Sequence, residues 1–362
     1  MRYAFVALAV SLAAPGVATA RADGAIAGLV NAQVETRAAT GGLAREVRAL
    51  LAAKPGPFWI GYAVPANGKH TMCCWSGRDD VRGCGGCLLE GERGEASFNV
   101  ERKDPLPLEA APRLRVLMRG EAGQVGRIRT VSEDCGLDAG GLPFVWIDGV
   151  RPADSVAYLA TLVGAGVEGG KPGKGREDAA LAAIAHTNDP SADAALGRFL
   201  DQAEPEHRRK KAAFWIGQAR RARGLEVLSR LVRTDPSPRF REHVVFALTQ
   251  SREPAAVDRI VDVAKHDEDG HVRGQALFWL AQTASRRAVP AIESALTDDP
   301  EVEVKKKAVF AVSQLPKDEG VPMLIRLART HKSVEVRKQA MFWLGQSQDA
   351  RALAFFEDVL KP

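Results

Sequence analysis

The stretch VRKQAMFWLGQ, residues 336–346, decides the fold, because close copies of it stand at fixed distances upstream. VKKKAVFAVSQ occupies residues 304–314 and VRGQALFWLAQ occupies residues 272–282, so the three copies begin 32 residues apart. Repetition at a fixed period of this length is typical of proteins that stack one small structural unit many times.

Three classes of residue keep the 32-residue spacing through five copies. We expect the recurring phenylalanines to define the core of each unit: Phe214, Phe246, Phe278, Phe310 and Phe342. A basic position recurs at Arg209, Arg241, Arg273, Lys305 and Arg337. A glutamine position recurs at Gln218, Gln250, Gln282, Gln314 and Gln346.

Each copy contains two amphipathic helical patterns separated by a polar break, as in residues 302–314 and 321–327 of the fourth copy. Two such helices bury their apolar stripes only by stacking on neighbouring pairs, which predicts an α-solenoid. The spacing continues one period upstream, but Ala182 replaces the phenylalanine and Glu177 replaces the basic residue. We therefore predict a solenoid over residues 177–362, with a degenerate cap followed by five 32-residue units.

The repeated segments at residues 304–312 and 336–345 resemble HEAT repeats, in the short form also found in phycobilin lyases. The resemblance covers about half of the chain and implies a protein-binding solenoid rather than a particular activity. Some members of the family, the deoxyhypusine hydroxylases, hold a di-iron centre with His-Glu dipeptides. This sequence contains no His-Glu dipeptide, so the resemblance does not imply iron chemistry here.

Each recurring position has a structural and a functional interpretation. Trp215, Trp279 and Trp343 alternate with Ala247 and Ala311 at one position, which favours interdigitated core packing over an aromatic binding row. We expect the glutamines to bond carbonyl groups in the following turn rather than a ligand. We expect the basic residues to pair with Asp or Glu of an adjacent unit rather than with anionic partners.

The first residues have the pattern of a secretory signal peptide. Arg2 precedes an apolar run of eleven residues, Pro15-Gly16 ends it, and Ala18-Thr19-Ala20 supplies the small residues of a cleavage site. We predict a signal peptide over residues 1–22, cut after Ala20 or Ala22. The alternative, a membrane anchor, needs about 20 apolar residues.

A glycine-rich segment separates the repeats from the residues that precede them. Residues 164–175 contain six glycines, so we predict a Gly-rich linker over residues 164–176. The preceding segment, residues 23–163, then forms a separate domain. Helical patterns lie around Ile26–Val30 and Leu43–Leu51, strand patterns follow, and a short helix is expected over Pro152–Leu162, so the domain is predicted to be a small α+β domain.

All the cysteines fall in this domain: Cys73, Cys74, Cys84, Cys87 and Cys135. In an exported protein we expect disulfides that stabilise a small loop-rich domain, with one cysteine left over and a connectivity that spacing does not reveal. Two alternatives remain open. A structural zinc site could use Cys73, Cys74, Cys84 and Cys87, with His70 as a further ligand, or Cys84 and Cys87 could perform thiol–disulfide chemistry.

Composition narrows the function classes. Fifty basic and 45 acidic residues in 362 give a formal charge of +5, a small excess that does not indicate nucleic-acid binding. No nucleotide-binding or hydrolase motif is present. We therefore expect an exported scaffold without a cofactor or a membrane span, which binds another protein or a peptide through the solenoid, on a face that we assign to the second helices. The competing hypothesis is a redox or metal-binding module in the cysteine domain, with the solenoid positioning protein substrates.

Overall fold

The computed structural model describes residues 26–68, 73, 86–90, 97–98, 111–164, 175–283 and 286–361, and the account below concerns these residues. It confirms the predicted fold class: an α+β region is followed by an all-α solenoid. The predicted signal peptide and most of the predicted linker lie outside the described residues.

The N-terminal region consists of two sheets and two helices. The strands are β1 Leu29–Val30, β2 Gln33–Ala38, β3 Phe58–Pro65, β4 Gly86–Leu88, β5 Ser97–Phe98, β6 Arg113–Glu121, β7 Gln124–Ser132, β8 Leu137–Asp138 and β9 Pro143–Asp148. The helices are α1 Leu43–Ala53 and α2 Pro152–Leu162. The larger sheet has the order β2-β9-β3-β6-β7, and the smaller one has the order β1-β8-β4-β5.

Strand β3 lies at the centre of the larger sheet and is buried on both faces. Ile60 and Tyr62 face a core that includes α1 and α2, whereas Trp59 faces a second core that includes the residues of the smaller sheet. Position 61, between Ile60 and Tyr62, requires glycine, because a Cβ there would lie 2.7 Å from the ring of Phe144 on β9. The continuous apolar sequence of β3 is thus the sequence of a strand covered on both sides.

The sequence patterns located most of these elements but failed at the N-terminal edge. The strand patterns of the sequence lie at residues 58–64, 113–118, 125–131 and 144–147, and they are confirmed as β3, β6, β7 and β9. The two helices predicted around Leu43–Leu51 and over Pro152–Leu162 are confirmed as α1 and α2. The expected helix around Ile26–Val30 is wrong, since Leu29 and Val30 form β1 and pair with β8. The sequence patterns did not predict β2. This strand lies at the sheet edge and pairs only with β9, and none of its residues is fully buried, so no alternation of buried and polar residues marks it in the sequence.

Twelve helices in the described residues from Arg176 onward form six consecutive pairs. The pair α3 Arg176–His186 and α4 Pro190–Arg198 is the degenerate cap. The five units are α5 Glu206–Ala219 with α6 Arg221–Thr234, α7 Pro238–Thr249 with α8 Ala256–His266, α9 Gly270–Gln282 with α10 Val289–Asp298, α11 Val302–Ser313 with α12 Lys317–Thr330, and α13 Val334–Gln346 with α14 Ala350–Leu360. Several first helices start at a side-chain cap, as where Asp269 accepts the backbone N–H groups of His271 and Val272.

The N-terminal region packs directly on the cap of the solenoid. Helix α2 contacts α3 and α4, α3 contacts β7, and the buried residues of both regions form one hydrophobic cluster. Hydrogen bonds join them as well: the Asn67 amide donates to the carbonyl of Ala219 at 2.7 Å, and Arg176 donates to that of Val125 at 3.0 Å. The apolar end of the repeat stack is thereby covered by the sheet region, as an end cap must do.

A buried ladder of Arg–Asp pairs connects successive units. Arg241 donates twice to Asp267, at 2.9 and 3.0 Å, and Arg273 donates twice to Asp299, at 2.7 and 3.1 Å. Arg209 pairs with Asp235 through a single hydrogen bond, while its Nε donates to the carbonyl of Leu200 at 3.1 Å. The Arg241 and Asp267 side chains are only 4% and 5% exposed, and the hydrogen bonds that Arg241 donates to Asp267 raise the pKa of Arg241.

Each Arg–Asp pair also holds in place the turns that connect successive units. Arg241 donates to the carbonyl of Asp235 at 2.8 Å, while the Asp235 carboxylate accepts the N–H of Ser237 at 3.0 Å. One guanidinium thus holds the turn before its own helix and the turn before the next unit. The basic positions therefore serve stacking in these units, as expected from pairing with an adjacent unit.

The ladder changes character in the last two units. Lys305 replaces arginine and donates to the carbonyl of Thr297, while His331 stands where the other units have aspartate. The His331 Nδ1 accepts the N–H of Ser333 at 3.1 Å, and Nε2 donates to the carbonyl of Leu296 at 3.0 Å. Arg337 retains only the carbonyl contacts, to His331 and Lys332.

We predict that Arg241→Leu lowers the free energy of unfolding by about 3 kcal/mol, because Asp267 is left as a buried charge without its partner. The double variant Arg241→Leu/Asp267→Leu should recover much of this loss, since neither charge remains. Urea unfolding followed by circular dichroism measures both. Lys305→Leu, at the same repeat position but without a buried carboxylate, is the control and should cost less. A double variant that loses the sum of the single effects contradicts the ladder.

Candidate functional site

The recurring phenylalanines lie on the surface of the solenoid rather than in its core. Four are half-buried and Phe342 is 54% exposed. In every unit the residues two before and two after the phenylalanine are buried, as at Val244 and Leu248 around Phe246. Those two positions lie on the opposite side of the helix from the phenylalanine, so the phenylalanine points outward.

Outward-facing rings of the first helices touch one another from unit to unit. Phe214 stacks on Phe246 with ring centroids 5.9 Å apart, and Phe278 stacks on Phe310 at 5.6 Å. The tryptophans bridge the other junctions: Phe246 lies 5.0 Å from Trp279, and Phe310 lies 5.2 Å from Trp343. We call the connected set the aromatic row: Phe214, Trp215, Phe246, Phe278, Trp279, Phe310, Trp343 and Phe342.

The aromatic row lies on the inner side of the stack. First helices of successive units pack on each other more closely than second helices do. A stack whose helices approach more closely on one side curves toward that side, and outward side chains converge there. This explains why rings of neighbouring units meet at 5–6 Å, and it makes the first helices the concave face.

The tryptophans both pack against the core and form part of the aromatic row, so each of the two interpretations of their position holds in part. Trp215, Trp279 and Trp343 are partly buried against the core, with their other side in the aromatic row. The Trp215 indole N–H donates to Asp178 of α3 at 2.9 Å. Within the described residues, the buried indole nitrogens of Trp279 and Trp343 have no hydrogen-bond partner.

Polar positions run along both edges of the aromatic row. Residues three or four before each phenylalanine share its face and include Lys211, His243, Gln275, Lys307 and Lys338. His243 Nε2 bonds the carbonyl of Lys210 at 2.8 Å, and burial lowers the pKa of His243, which favours the neutral ring.

The glutamines form the other edge, four residues after each phenylalanine. Gln218, Gln282, Gln314 and Gln346 are exposed, and Gln250 is half-buried. Gln250 donates to the Thr249 hydroxyl at 2.9 Å and Gln314 donates to the Ser313 hydroxyl at 3.1 Å. These two amides donate to hydroxyls and not to the turn carbonyls that we expected. The exposed amides are accessible to a ligand.

The cysteine cluster lies at the other end of the molecule. Cys73 forms a disulfide with Cys135, with Cα atoms 5.3 Å apart, beneath the smaller sheet. Cys87 is also disulfide-bonded and fully buried, while Cys74 and Cys84 lie outside the described residues. Cysteines in disulfides supply no thiolates, so Cys73 and Cys87 are not free to act as zinc ligands in this structure. The thiol–disulfide alternative for Cys84 and Cys87 stays a prediction.

The concave face was not predictable from the spacing alone. The period identified every residue class of the aromatic row, but the same spacing fits a buried ring and a surface ring. A signal was present in the flanking residues: the positions two before and two after each phenylalanine are uniformly aliphatic, which already fills the core side of a helix.

Comparison with known proteins agrees with this architecture. The family model for HEAT repeats matches residues 193–281 and 289–362, and that for the PBS lyase HEAT-like repeat matches residues 272–298. No curated protein matches the chain.

Two solved structures are similar over most of their own length. Human deoxyhypusine hydroxylase in complex with glycerol has 15% identity and a TM-score of 0.25, and the match covers 57% of this chain and 90% of that one. The complex of CpcE and CpcF of phycocyanin lyase from Nostoc sp. PCC7120 has 16% identity and a TM-score of 0.29, covering 59% and 89%. In the part of the chain that the structure describes, no helix meets the length and apolarity needed to cross a membrane.

Proposed function

The C-terminal half of this chain consists of HEAT repeats, and from this premise we propose that the protein is a non-catalytic scaffold that binds a protein or peptide partner along the aromatic row. Repeats of this kind present extended concave surfaces to their partners. The proposal assigns binding to the first helices, in place of the second helices favoured by sequence alone. The observation that carries it is the unbroken line of contacting rings on the concave face.

Three properties of this face suit an extended polypeptide. Aromatic rings supply large rigid contact areas at low conformational cost, and they are enriched where binding energy is concentrated. The exposed Gln218, Gln282, Gln314 and Gln346 amides each offer a donor and an acceptor, which match the peptide groups of an extended chain. Neighbouring helices stand about 8–10 Å apart, close to three residues of extended chain at ~3.3 Å each, so a bound extended chain advances by about three residues from one unit to the next.

We further propose that the protein acts after export. The charged and apolar pattern of the first residues supports this, and disulfides such as Cys73–Cys135 persist in oxidising compartments. Expression of the full chain in a diderm bacterium, followed by N-terminal sequencing of the periplasmic fraction, should give a chain that begins at Arg21 or Asp23. Protein that stays in the cytoplasm with Met1 at its start contradicts export.

Binding along the aromatic row predicts that a single ring change weakens partner binding without unfolding the protein. A displayed random dodecapeptide library selected on the full chain supplies ligands, whose affinities are then measured by fluorescence polarisation. Phe342→Ser should weaken the selected peptides about tenfold, since exposed aromatic anchors dominate such interfaces.

Leu353 provides a matched control. It is 62% exposed, belongs to the same unit as Phe342 and lies on the second helix α14. Leu353→Ser should leave peptide affinity within about twofold of the wild type, and both variants should melt near the wild-type temperature. Equal losses in the two variants, or a loss only in Leu353→Ser, would contradict binding on the first-helix face.

A further inference from the structure

The two dense basic runs of the solenoid differ in how their charges are compensated. In the run at residues 208–211, every side chain has a carboxylate partner. Arg208 pairs with Glu204 at 2.5 Å, and Arg209 pairs with Asp235. Lys210 pairs with Glu206 at 2.5 Å, and Lys211 pairs with Glu177 at 3.3 Å. This end of the concave face therefore has little net positive charge to offer a partner.

In the run at residues 305–307, one lysine of the three has a carboxylate partner within the described residues. Lys306 pairs with Glu303 at 3.0 Å, whereas Lys305 donates to a neutral carbonyl. Lys307 makes no ion pair within the described residues, and neither does Lys338 on the next first helix; both are exposed. Lys307 precedes Phe310 by three residues and Lys338 precedes Phe342 by four, so both share a face with the aromatic row.

The indole nitrogens of the aromatic row also differ in their partners. The indole N–H of Trp215 donates to Asp178, whereas those of Trp279 and Trp343 have no hydrogen-bond partner within the described residues. The contrast in charge rests on the ion pairs, which neutralise residues 208–211 at the first unit and leave Lys307 and Lys338 without a direct carboxylate partner in the described residues.

A hollow adjoins the cationic end. It has a volume of about 240 Å³ and lies between units four and five, on the glutamine edge of the row. Leu324 and Trp343 give it apolar walls, and Gln314, Gln346 and Lys317 lie at its polar side. Along each first helix the lysine position precedes the phenylalanine and the glutamine follows it, so Lys307 and this hollow lie at opposite edges of the aromatic row.

We propose that units four and five bind an acidic segment of the partner protein. Its carboxylates face Lys307 and Lys338, its chain crosses Phe310 and Phe342, and one apolar side chain occupies the hollow beside Trp343. The inference rests on the proposed function, since it names the chemistry of the partner bound there. Lys307 and Lys338 are exposed and make no direct ion pair within the described residues, although Glu335 lies near Lys338. Exposed charges of this kind attract the opposite charge and accelerate encounter, in a way that added salt weakens.

Charge reversal on the full chain tests the inference. Peptides from the same random library are sequenced and their affinities measured with Lys307→Glu/Lys338→Glu. The control, Arg259→Glu/Lys265→Glu, makes the same change in net charge at exposed positions of the second helix α8. We expect the enriched peptides to be acidic with an apolar residue. Their affinity should fall at least about tenfold in the first variant, change within about twofold in the control and weaken with salt.

The outcomes separate the two proposals. Neutral or basic peptides that still depend on Phe342 would overturn the acidic partner and leave the scaffold function standing. Peptides that do not depend on Phe342 would overturn the scaffold function on this face. An equal loss in the two charge-reversal variants would also overturn the inference, as would displacement of the peptides by a single-stranded oligonucleotide of matched charge, which would assign the lysines to nucleic acid.

Discussion

The buried pairing of one arginine with an aspartate of the next unit is the constraint on which the stacking of units one to four depends. Amphipathic helices alone can slide or rotate against each other, because apolar contact has little directional preference. A bidentate guanidinium–carboxylate pair fixes distance and angle together. Arg241 and Arg273 each make such a pair and also bind the carbonyl of the preceding turn, so three successive turns are held in one register. With the first helices aligned, their outward rings meet, and the aromatic row follows from the stacking geometry.

The N-terminal and C-terminal ends of the solenoid differ in how completely their charged side chains are paired and their apolar side chains are covered. At the N-terminal end the sheet region covers the degenerate cap, and the acidic residues of α3 and α5 compensate the first basic run. Toward the C-terminal end the ladder loses its Arg–Asp pairs, with Lys305 and His331 in their place. Exposed apolar residues accumulate there as well, including Val302, Val334 and Phe342. The C-terminal units, in which the Arg–Asp pairs are lost and more apolar side chains are exposed, are therefore the units best suited to bind an external partner.

The sequence predicted the period, the helix pairs and the degenerate cap because each is a local pattern repeated several times. The 32-residue spacing alone could not predict which side of the first helix faces the core, since Phe246 and the buried Val245 beside it lie at positions with the same period. Only the aliphatic residues two positions before and after each phenylalanine carried that information. The role of the basic positions required the aspartates 26 residues away, which lie in turns whose local chemistry already explains an aspartate. The packing of Asn67 and α2 on the cap was also inaccessible, because such contacts join distant parts of the chain that share no pattern.

The claim that the concave row of rings is the binding surface is tested most directly by hydroxyl-radical footprinting of the full chain, free and bound to a selected peptide, with oxidation of each residue read by mass spectrometry. Binding along the row predicts that oxidation of Phe246, Phe278 and Phe342 falls in the complex, while that of Leu353 on the opposite face is unchanged. Unchanged oxidation of the three rings together with protection of Leu353 would contradict the account and place the partner on the second helices.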